Sequence, residues 1–544
     1  MTVTRRSFLY YMGPLALLPV LPRECSDLSD EYENSVTPFV HGVASGDPLP
    51  ERVLLWTRVS GDAAAPARVK VSWRVARDAG FREVVDGGVV ETTAEFDYTV
   101  KVDAVGLRPG TTYYYRFHAL GFDSPIGRTK TAARKDVARL RLAFASCSNL
   151  PYGYFNAYAA IAQRADLDAV LHLGDYLYEY ANGSYGDGSA LGRIPEPNKE
   201  IVTLEEYRTR HAQYKTDPDL QEAHRQHPFI AVWDDHEVSN DAWRLGAENH
   251  QPEEGDFSER KAAAIKAYFE WMPVRGEQRD TSGKIYRSFQ FGKLLDLFML
   301  DTRLIGRDEQ VENPCDGAAL ADPTRQLLGE AQESWFFAQL ENSQWRGTRW
   351  RLVGQQVMFG QFMNVFAPGA CIFNPDQWDG YAAARARVLN LLKSKPIDNV
   401  VILTGDIHSS WAMDICENPF DPSVYDASSG GGSLAVEFVT PAVTSPALED
   451  PVQAAGVATA LSATHPHLKF VDLYRRGYAL LDVTRERVQC EWYHVATLSQ
   501  RDASEVMARA LLVRAGENHL VPATEATEPV ASAPKLAPSL VPTA

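Results

Sequence analysis

Short, nearly continuous apolar runs separated by helical patterns dominate the chain from about residue 140 onward. The strand-length runs lie at 140–145, 167–173, 229–233, 294–300 and 400–403. Helical patterns between them lie at 204–214, 259–271 and 382–392. Strands that are apolar on both faces and alternate with helices indicate a sheet covered on both sides. The sequence therefore predicts an α/β (α+β) fold for residues 135–515, with a late hairpin at 478–494.

Residues 36–134 have a different pattern, made of short strands and turns. Runs at 53–59, 69–75 and 112–118 are rich in β-branched and aromatic residues, and glycines and prolines separate them. This pattern is typical of a small β-sandwich of immunoglobulin or fibronectin type, with Tyr113 to Phe117 packed inside it. At the other end, residues 520–544 are rich in Ala, Pro, Ser and Glu, which predicts a disordered tail.

The first 30 residues resemble a targeting segment. Arg5 and Arg6 precede Phe8-Leu9, and an apolar run follows at 10–22. Paired arginines before such a run are typical of a twin-arginine export signal, read by the twin-arginine translocase. The alternative is a single membrane anchor, although the run is shorter than the roughly 20 residues that a spanning helix needs. We expect an exported protein, periplasmic or extracellular, without a permanent membrane span.

Charge and cysteine usage exclude some classes of protein. The net charge of −17 argues against a broad nucleic-acid-binding surface, but not against phosphate substrates, because a metal site supplies its own positive field. No Cys-x-x-Cys pair is present, which disfavours a zinc ribbon. Four cysteines are candidates for disulfides outside the cytoplasm without any pairing being fixed: Cys315, Cys371, Cys416 and Cys490.

Potential metal ligands follow the apolar strands where each strand stops. Cys147 follows the first strand, Asp175 the second, Asp234-Asp235-His236-Glu237 the third, and Asp406-Ile407-His408 a late one. In open α/β sheets, ligands bind at the carboxyl ends of strands. Carboxylates crowded together repel one another unless a cation lies between them. The pattern therefore predicts a metal site before it predicts any reaction.

The order Gly-Asp, Asp-His-Glu, Gly-Asp-x-His is similar to the calcineurin-like metallophosphoesterases. The departures from that pattern, Cys147 for the first Asp, Asp235 for an Asn and Asp406 for a His, resemble the PhoD-type alkaline phosphatases. Further blocks that resemble this family lie at 39–48, 54–58, 145–148, 233–238, 300–303 and 404–409. The resemblance implies a metallophosphoesterase sandwich of mixed sheets flanked by helices, preceded by the β-sandwich domain.

That family resemblance also implies a ferric ion beside calcium. Asp175 would bridge the metals, Cys147, Tyr178 and His408 would complete the iron side, and Asp235 with Asp406 would form an all-oxygen calcium side. The isolated histidine that the superfamily places between the third and fourth motifs has no evident equivalent. Gln355, Gln356, Asn240 or water are the candidates to fill the calcium shell.

Other residues near these motifs have less specific interpretations. Asp234 is expected to orient a neighbour, Glu237 and Asn240 to lie behind the ligands, and His172 and Tyr176 to be structural. Arg303 is a candidate for phosphate binding, with an ion pair to Asp301 or a place at the sheet edge as equal alternatives. Four histidines without motif context are expected at the surface: His224, His227, His465 and His467.

We expect an exported alkaline phosphatase that hydrolyses phosphate esters with a metal-bound hydroxide and releases inorganic phosphate. His236 would protonate the leaving oxygen or contact the phosphate, with Asp235 beside it. A phosphodiesterase or phospholipase D on the same scaffold is the first alternative, since both share the attack chemistry. An exported binding protein that uses its β-sandwich to hold a glycan or partner is the second.

Overall fold

The computed structural model describes residues 37–60, 67–135, 137–276, 283–364 and 371–539. The predicted export signal lies outside these residues. Within the part of the chain that the structure describes, no helix is both long and apolar enough to cross a membrane.

The first described region is a β-sandwich. Its strands are β1 Val43–Leu49, β2 Arg52–Arg58, β3 Arg68–Ala76, β4 Val84–Thr93, β5 Thr99–Val105, β6 Thr112–Ala119, β7 Phe122–Asp123 and β8 Gly127–Lys130. Strands β3, β4, β6, β7 and β8 form one layer, and β1, β2 and β5 form the other. Tyr113, Tyr115 and Phe117 are buried between the layers, so the predicted packing role of these aromatic residues is confirmed.

The second region contains the expected alternation of strands and helices. Its strands are β9 Arg139–Ala145, β10 Ala169–His172, β11 Pro228–Ala231, β12 Arg287–Phe291, β13 Leu295–Met299, β14 Trp350–Gly354, β15 Val400–Thr404, β16 Ser410–Ile415, β17 Ala435–Val439, β18 Leu468–Asp472, β19 Gly477–Thr484, β20 Arg487–Val495, β21 Glu505–Arg514 and β22 Leu520–Pro522. Its helices are α1 Asn156–Ala162, α2 Leu204–Tyr214, α3 Pro218–Gln226, α4 Phe257–Trp271, α5 Gly317–Leu320, α6 Glu330–Trp345, α7 Ala382–Ser394 and α8 Pro451–Thr464. The predicted fold class is confirmed.

Two mixed sheets form the core of this region. One runs in the order β22-β21-β20-β19-β9-β10-β11-β1-β2-β5, and the other in the order β12-β13-β14-β15-β17-β16-β18. Strands β9, β10 and β11 are parallel, as are β13, β14, β15 and β17, so their carboxyl ends lie at common edges. Apolar residues of both sheets share one core, and α6, α7 and α8 cover the outer face of the second sheet.

The β-sandwich and the ten-stranded sheet are continuous. Strand β1 pairs in parallel with β11, with Ser45 opposite Pro228, so β1, β2 and β5 extend the ten-stranded sheet. Asp47 in β1 is fully buried, and its carboxylate accepts hydrogen bonds from Arg287 at 2.6 and 2.8 Å. A buried charge held by a guanidinium fixes the two regions against each other.

The predicted disordered tail is ordered over residues 520–539. Strand β22 pairs with β21, and Thr527 and Glu528 accept hydrogen bonds from the guanidinium of Arg141. The Lys535 carbonyl accepts from the hydroxyl of Tyr114 at 2.6 Å. Composition did not indicate this order, because the stabilising groups are buried side chains of distant residues. The last residues, 540–544, lie outside the described chain.

A disulfide joins Cys315 to Cys371, a pairing that the sequence left open. Cys416 and Cys490 are buried thiols.

Candidate metal centre

Four strand ends, three from the ten-stranded sheet and one from the seven-stranded sheet, bring the candidate ligands together. Cys147, Asp175 and His408 offer ligand atoms within 4.8 Å of one another, and so do two further groups: Asp175, Asp235 and His236, and Asp234, Asp235 and Asp406. All of these side chains are buried. Asp175 and Asp235 each belong to two groups, which is the arrangement that carboxylates need to bridge neighbouring cations.

The backbone at this cluster is unusual. Four of the residues have left-handed conformations that are rare for residues other than glycine: Cys147 (φ 63°), Asp175 (φ 53°), Asp406 (φ 64°) and His408 (φ 59°). Gly174, before Asp175, has a φ of 103°, and an added Cβ there would lie 2.4 Å from the Cβ of Asp234. The glycine of the Gly-Asp motif therefore allows the two strand ends to pack closely. Several strained backbone conformations close together are typical of functional sites.

Cys147, Tyr178 and His408 lie on one side of Asp175. The Tyr178 hydroxyl donates to the Asp175 carboxylate at 2.9 Å, lies 3.2 Å from His408 Nε2 and accepts from Ser445 at 2.6 Å. His408 Nδ1 donates to the Pro446 carbonyl at 2.8 Å, which leaves Nε2 toward the cluster. Burial, then the charges of Asp175 and Cys147, raise the pKa of Tyr178 well above its usual value. A nearby cation would reverse that effect.

Asp235 and Asp406 lie on the other side, beside a guanidinium. Fully buried Arg303 contacts Asp406 at 2.8 Å and Asp235 at 3.5 Å, and it also pairs with Asp234 and Asp376. The sequence placed this arginine at the phosphate, in a pair with Asp301 or at the sheet edge. Its guanidinium pairs with these carboxylates, whereas the Asp301 carboxylate accepts from the backbone N–H groups of Arg303 and Leu304.

His236 is held from behind by a carboxylate. Glu179, fully buried, accepts from Nδ1 of His236 at 2.7 Å and from the backbone N–H of Asn240 at 2.9 Å. Burial alone would lower the pKa of His236, but Glu179, Asp235 and Asp175 raise it to about 10. Among the described residues, Nε2 of His236 has no hydrogen-bond partner. A buried donor left open is available to a ligand.

Glu237 supports the cluster through the backbone. Its carboxylate accepts from the backbone N–H groups of Asp175, Tyr176 and Asp234 and so ties the second strand end to the third. Asn240, another expected neighbour, donates its side-chain amide to Glu248 at 3.1 Å.

Gln355 and Gln356 were candidates to take the place of the missing histidine. The hydrogen bonds that we observe for their side chains do not involve a predicted metal ligand. Gln355 donates to Thr404 and accepts from Trp378, and Gln356 joins Thr302 to the Leu300 carbonyl. Gln377 instead donates to Asp406 at 2.8 Å. Asp376, Gln377 and Glu179 were missed because no strand-end motif marks them.

The four histidines expected at the surface are buried, which corrects that prediction. His224 lies 2.9 Å from the Tyr176 hydroxyl and 3.1 Å from Lys215 Nζ, while Nε2 of His227 and of His467 faces a backbone carbonyl. His465 stacks on Phe362. A neutral imidazole with a partner is readily buried, and burial lowers the pKa of all four.

Comparisons with known proteins agree with one another. The family model described as PhoD-like phosphatase matches residues 142–492, and that of the PhoD-like phosphatase N-terminal domain matches residues 25–133. The chain is 37% identical over 495 residues to alkaline phosphatase D of Bacillus subtilis (strain 168), covering 88% of this chain and 80% of that protein. A solved structure described as PhoD superposes with a TM-score of 0.82 and 34% identity, covering 91% of this chain and 93% of the other.

Proposed function

The chain belongs to the PhoD-like phosphatase family and is therefore a phosphoric ester hydrolase, and we propose that it is an exported alkaline phosphatase with an iron(III) and calcium centre. The observation that carries the proposal is the set of overlapping ligand groups that share Asp175 and Asp235. Thiolate, phenolate and imidazole at Cys147, Tyr178 and His408 suit iron(III), and the carboxylates of Asp235 and Asp406 suit calcium.

These residues fit a metal centre on chemical grounds. Several buried carboxylates and a buried thiol gather in one place, where Arg303 and His236 supply the cationic side chains of the cluster. Bound metals would supply a water of lowered pKa and neutralise charge on the phosphoryl oxygens.

The side chains have separable tasks in the proposed reaction. Glu179 fixes the ring of His236 through Nδ1, so that Nε2 faces the substrate and donates its proton to the leaving oxygen. Stacking of the Tyr185 ring on His236, with centroids 5.9 Å apart, further restricts rotation of the imidazole. Arg303 holds Asp234, Asp235 and Asp406 in place rather than binding phosphate. The oxygen of water adds to phosphorus as the bond from phosphorus to the alcohol oxygen breaks; the alcohol leaves with the proton from His236, and the proton released by the water restores His236.

Export is proposed from the paired arginines Arg5 and Arg6 and the apolar run that follows them. The Cys315–Cys371 disulfide supports this proposal, because such bonds persist outside the reducing cytoplasm. The twin-arginine translocase would then be a partner during export, and the mature protein would act in the periplasm or outside the cell.

Hydrolysis of two chromogenic esters tests the function. The metal-loaded protein is expected to cleave p-nitrophenyl phosphate, releasing inorganic phosphate, and the rate on bis(p-nitrophenyl) phosphate measures the alternative diesterase activity. Failure of the loaded protein to cleave either ester would refute the proposal. Cleavage of the diester alone would favour the phosphodiesterase or phospholipase D alternative.

A further inference from the structure

A deep apolar pocket opens directly beside the metal cluster. Asp406 and His408 are among its lining residues, and the pocket encloses ≈ 830 Å³ with its open mouth included. Its apolar lining consists mainly of Met358, Phe362, Phe373, Trp411, Leu448 and Leu473. Because the lining is mainly apolar and includes two of the predicted metal ligands, a substrate bound at the cluster would have its substituent next to this pocket.

Several polar groups of the lining residues form hydrogen bonds within the protein. The Trp411 indole N–H donates to Ser409 at 2.7 Å, and the Gln377 amide donates to Asp406 at 2.8 Å. Asn374 accepts from the backbone N–H of Asp376 at 2.9 Å. Because the donors of Trp411 and Gln377 are already bonded within the protein, a hydroxyl-rich substituent would gain few hydrogen bonds by entering the pocket.

The pocket walls form part of a packed aromatic cluster. The ring centroids of Phe362 and Phe373 lie 5.0 Å apart, and those of Phe362 and Trp411 lie 5.2 Å apart in an edge-to-face arrangement. Phe362 and Trp411 are buried, whereas Phe373 is half-buried. Another ring placed here would meet neighbours at the spacing that aromatic side chains prefer.

We propose that this pocket binds an apolar substituent of the phosphate ester, about one aromatic ring in size, while the phosphoryl group lies at Asp406 and His408. The inference rests on the proposed function, because it places the phosphoryl group at the metal cluster. It makes aryl and apolar alkyl esters the preferred substrate class over esters of small polar alcohols.

Binding of two phosphonates tests the proposal without relying on turnover. Methylphosphonate and phenylphosphonate carry a C–P bond that ester hydrolysis does not cleave, and both are dianions at alkaline pH. Calorimetric titration of the metal-loaded protein is expected to give a Kd at least about tenfold lower for phenylphosphonate. Equal Kd values, or no binding of either compound, would overturn the assignment of the pocket.

Two variants test whether the preference for phenylphosphonate arises from this pocket. In Phe373→Ala the Kd for phenylphosphonate is expected to rise about tenfold while that for methylphosphonate changes less than about twofold. Phe337→Ala, which removes a partly buried ring from the same apolar cluster away from the pocket, should leave both Kd values unchanged. An unchanged ratio in Phe373→Ala refutes the pocket assignment, and the methylphosphonate Kd reports whether the variant still folds. Absence of ester hydrolysis with the phosphonate preference intact would instead refute the proposed function.

Discussion

At the scale of single residues, the metal cluster is built on backbone conformations that ordinary residues avoid. Cys147, Asp175, Asp406 and His408 all have positive φ angles, each at a cost on the order of 1 kcal/mol. Backbone contacts between strand ends hold them there, including the Ser148 N–H, which donates to the Asp175 carbonyl at 2.8 Å. The rest of the fold thus stabilises a ligand geometry that is locally unfavourable.

The role of His236 is tested by removing its imidazole. His236→Ala is expected to keep its metal content, since Cys147, Asp175, Tyr178 and His408 remain, but to lose about 10²- to 10⁴-fold in kcat, because the leaving oxygen no longer receives a proton. Metal analysis and steady-state kinetics measure the two effects separately. The control variant is His467→Ala, which removes another buried imidazole. In the structure, the observed hydrogen bond of that ring is to the Gln361 carbonyl. Unchanged kcat in His236→Ala would remove this residue from the mechanism.

Arg303 is predicted to be a major contributor to stability. Removal of its guanidinium in Arg303→Met leaves Asp234, Asp376 and Asp406 buried without that partner, which should cost about 3–5 kcal/mol of unfolding free energy. Arg244→Met is the matched control, because the pair of Arg244 with Asp308 is half-exposed and should contribute no more than about 1 kcal/mol. Urea unfolding of both variants measures the difference. Equal midpoints would contradict the ion-pair account.

At the scale of elements, the periodicity of apolar residues predicted those helices and strands whose formation depends on local sequence. Helix α2 has the predicted bounds, and its start is explained by a capping box between Thr203 and Glu206. Strand β1 was not predicted as part of the central sheet, because its parallel pairing with β11 joins residues that are far apart in the sequence. Its Gly46 packs so closely that an added Cβ would lie 2.0 Å from the Pro273 carbonyl oxygen. Such pairings depend on tertiary contacts that a local pattern does not contain.

The ordered tail gives a prediction at this scale. Truncation after Pro522 removes the carbonyls that accept from Arg141 and Tyr114 and leaves buried donors unpaired, at about 1–3 kcal/mol each. The urea midpoint of the truncated protein should therefore fall markedly. Truncation after Ser539 retains these hydrogen bonds and serves as the control. If both truncations unfold at the wild-type urea concentration, the tail does not stabilise the fold.

At the scale of the whole molecule, the sequence predicted which candidate ligands lie together better than it predicted the residues around them. Cys147, Asp175 and Asp406 were identifiable because each follows an apolar strand, and parallel strands end at one edge. Asp376 and Glu179 come from loops without any such marker, and only the folded chain brings them to Arg303 and His236. The pocket is likewise assembled from separate segments, so its apolar character has no local sequence signature.

In the proposed function, Cys147 and Tyr178 belong to an iron centre that carries the activity. Metal analysis combined with the visible absorption spectrum of the purified protein tests it most directly. We predict iron in the protein and a phenolate-to-iron absorption band that disappears in Tyr178→Phe, with loss of iron and most activity in Cys147→Ser. The buried-thiol control Cys416→Ser should keep both iron and activity. A colourless, iron-free and fully active enzyme would contradict the account.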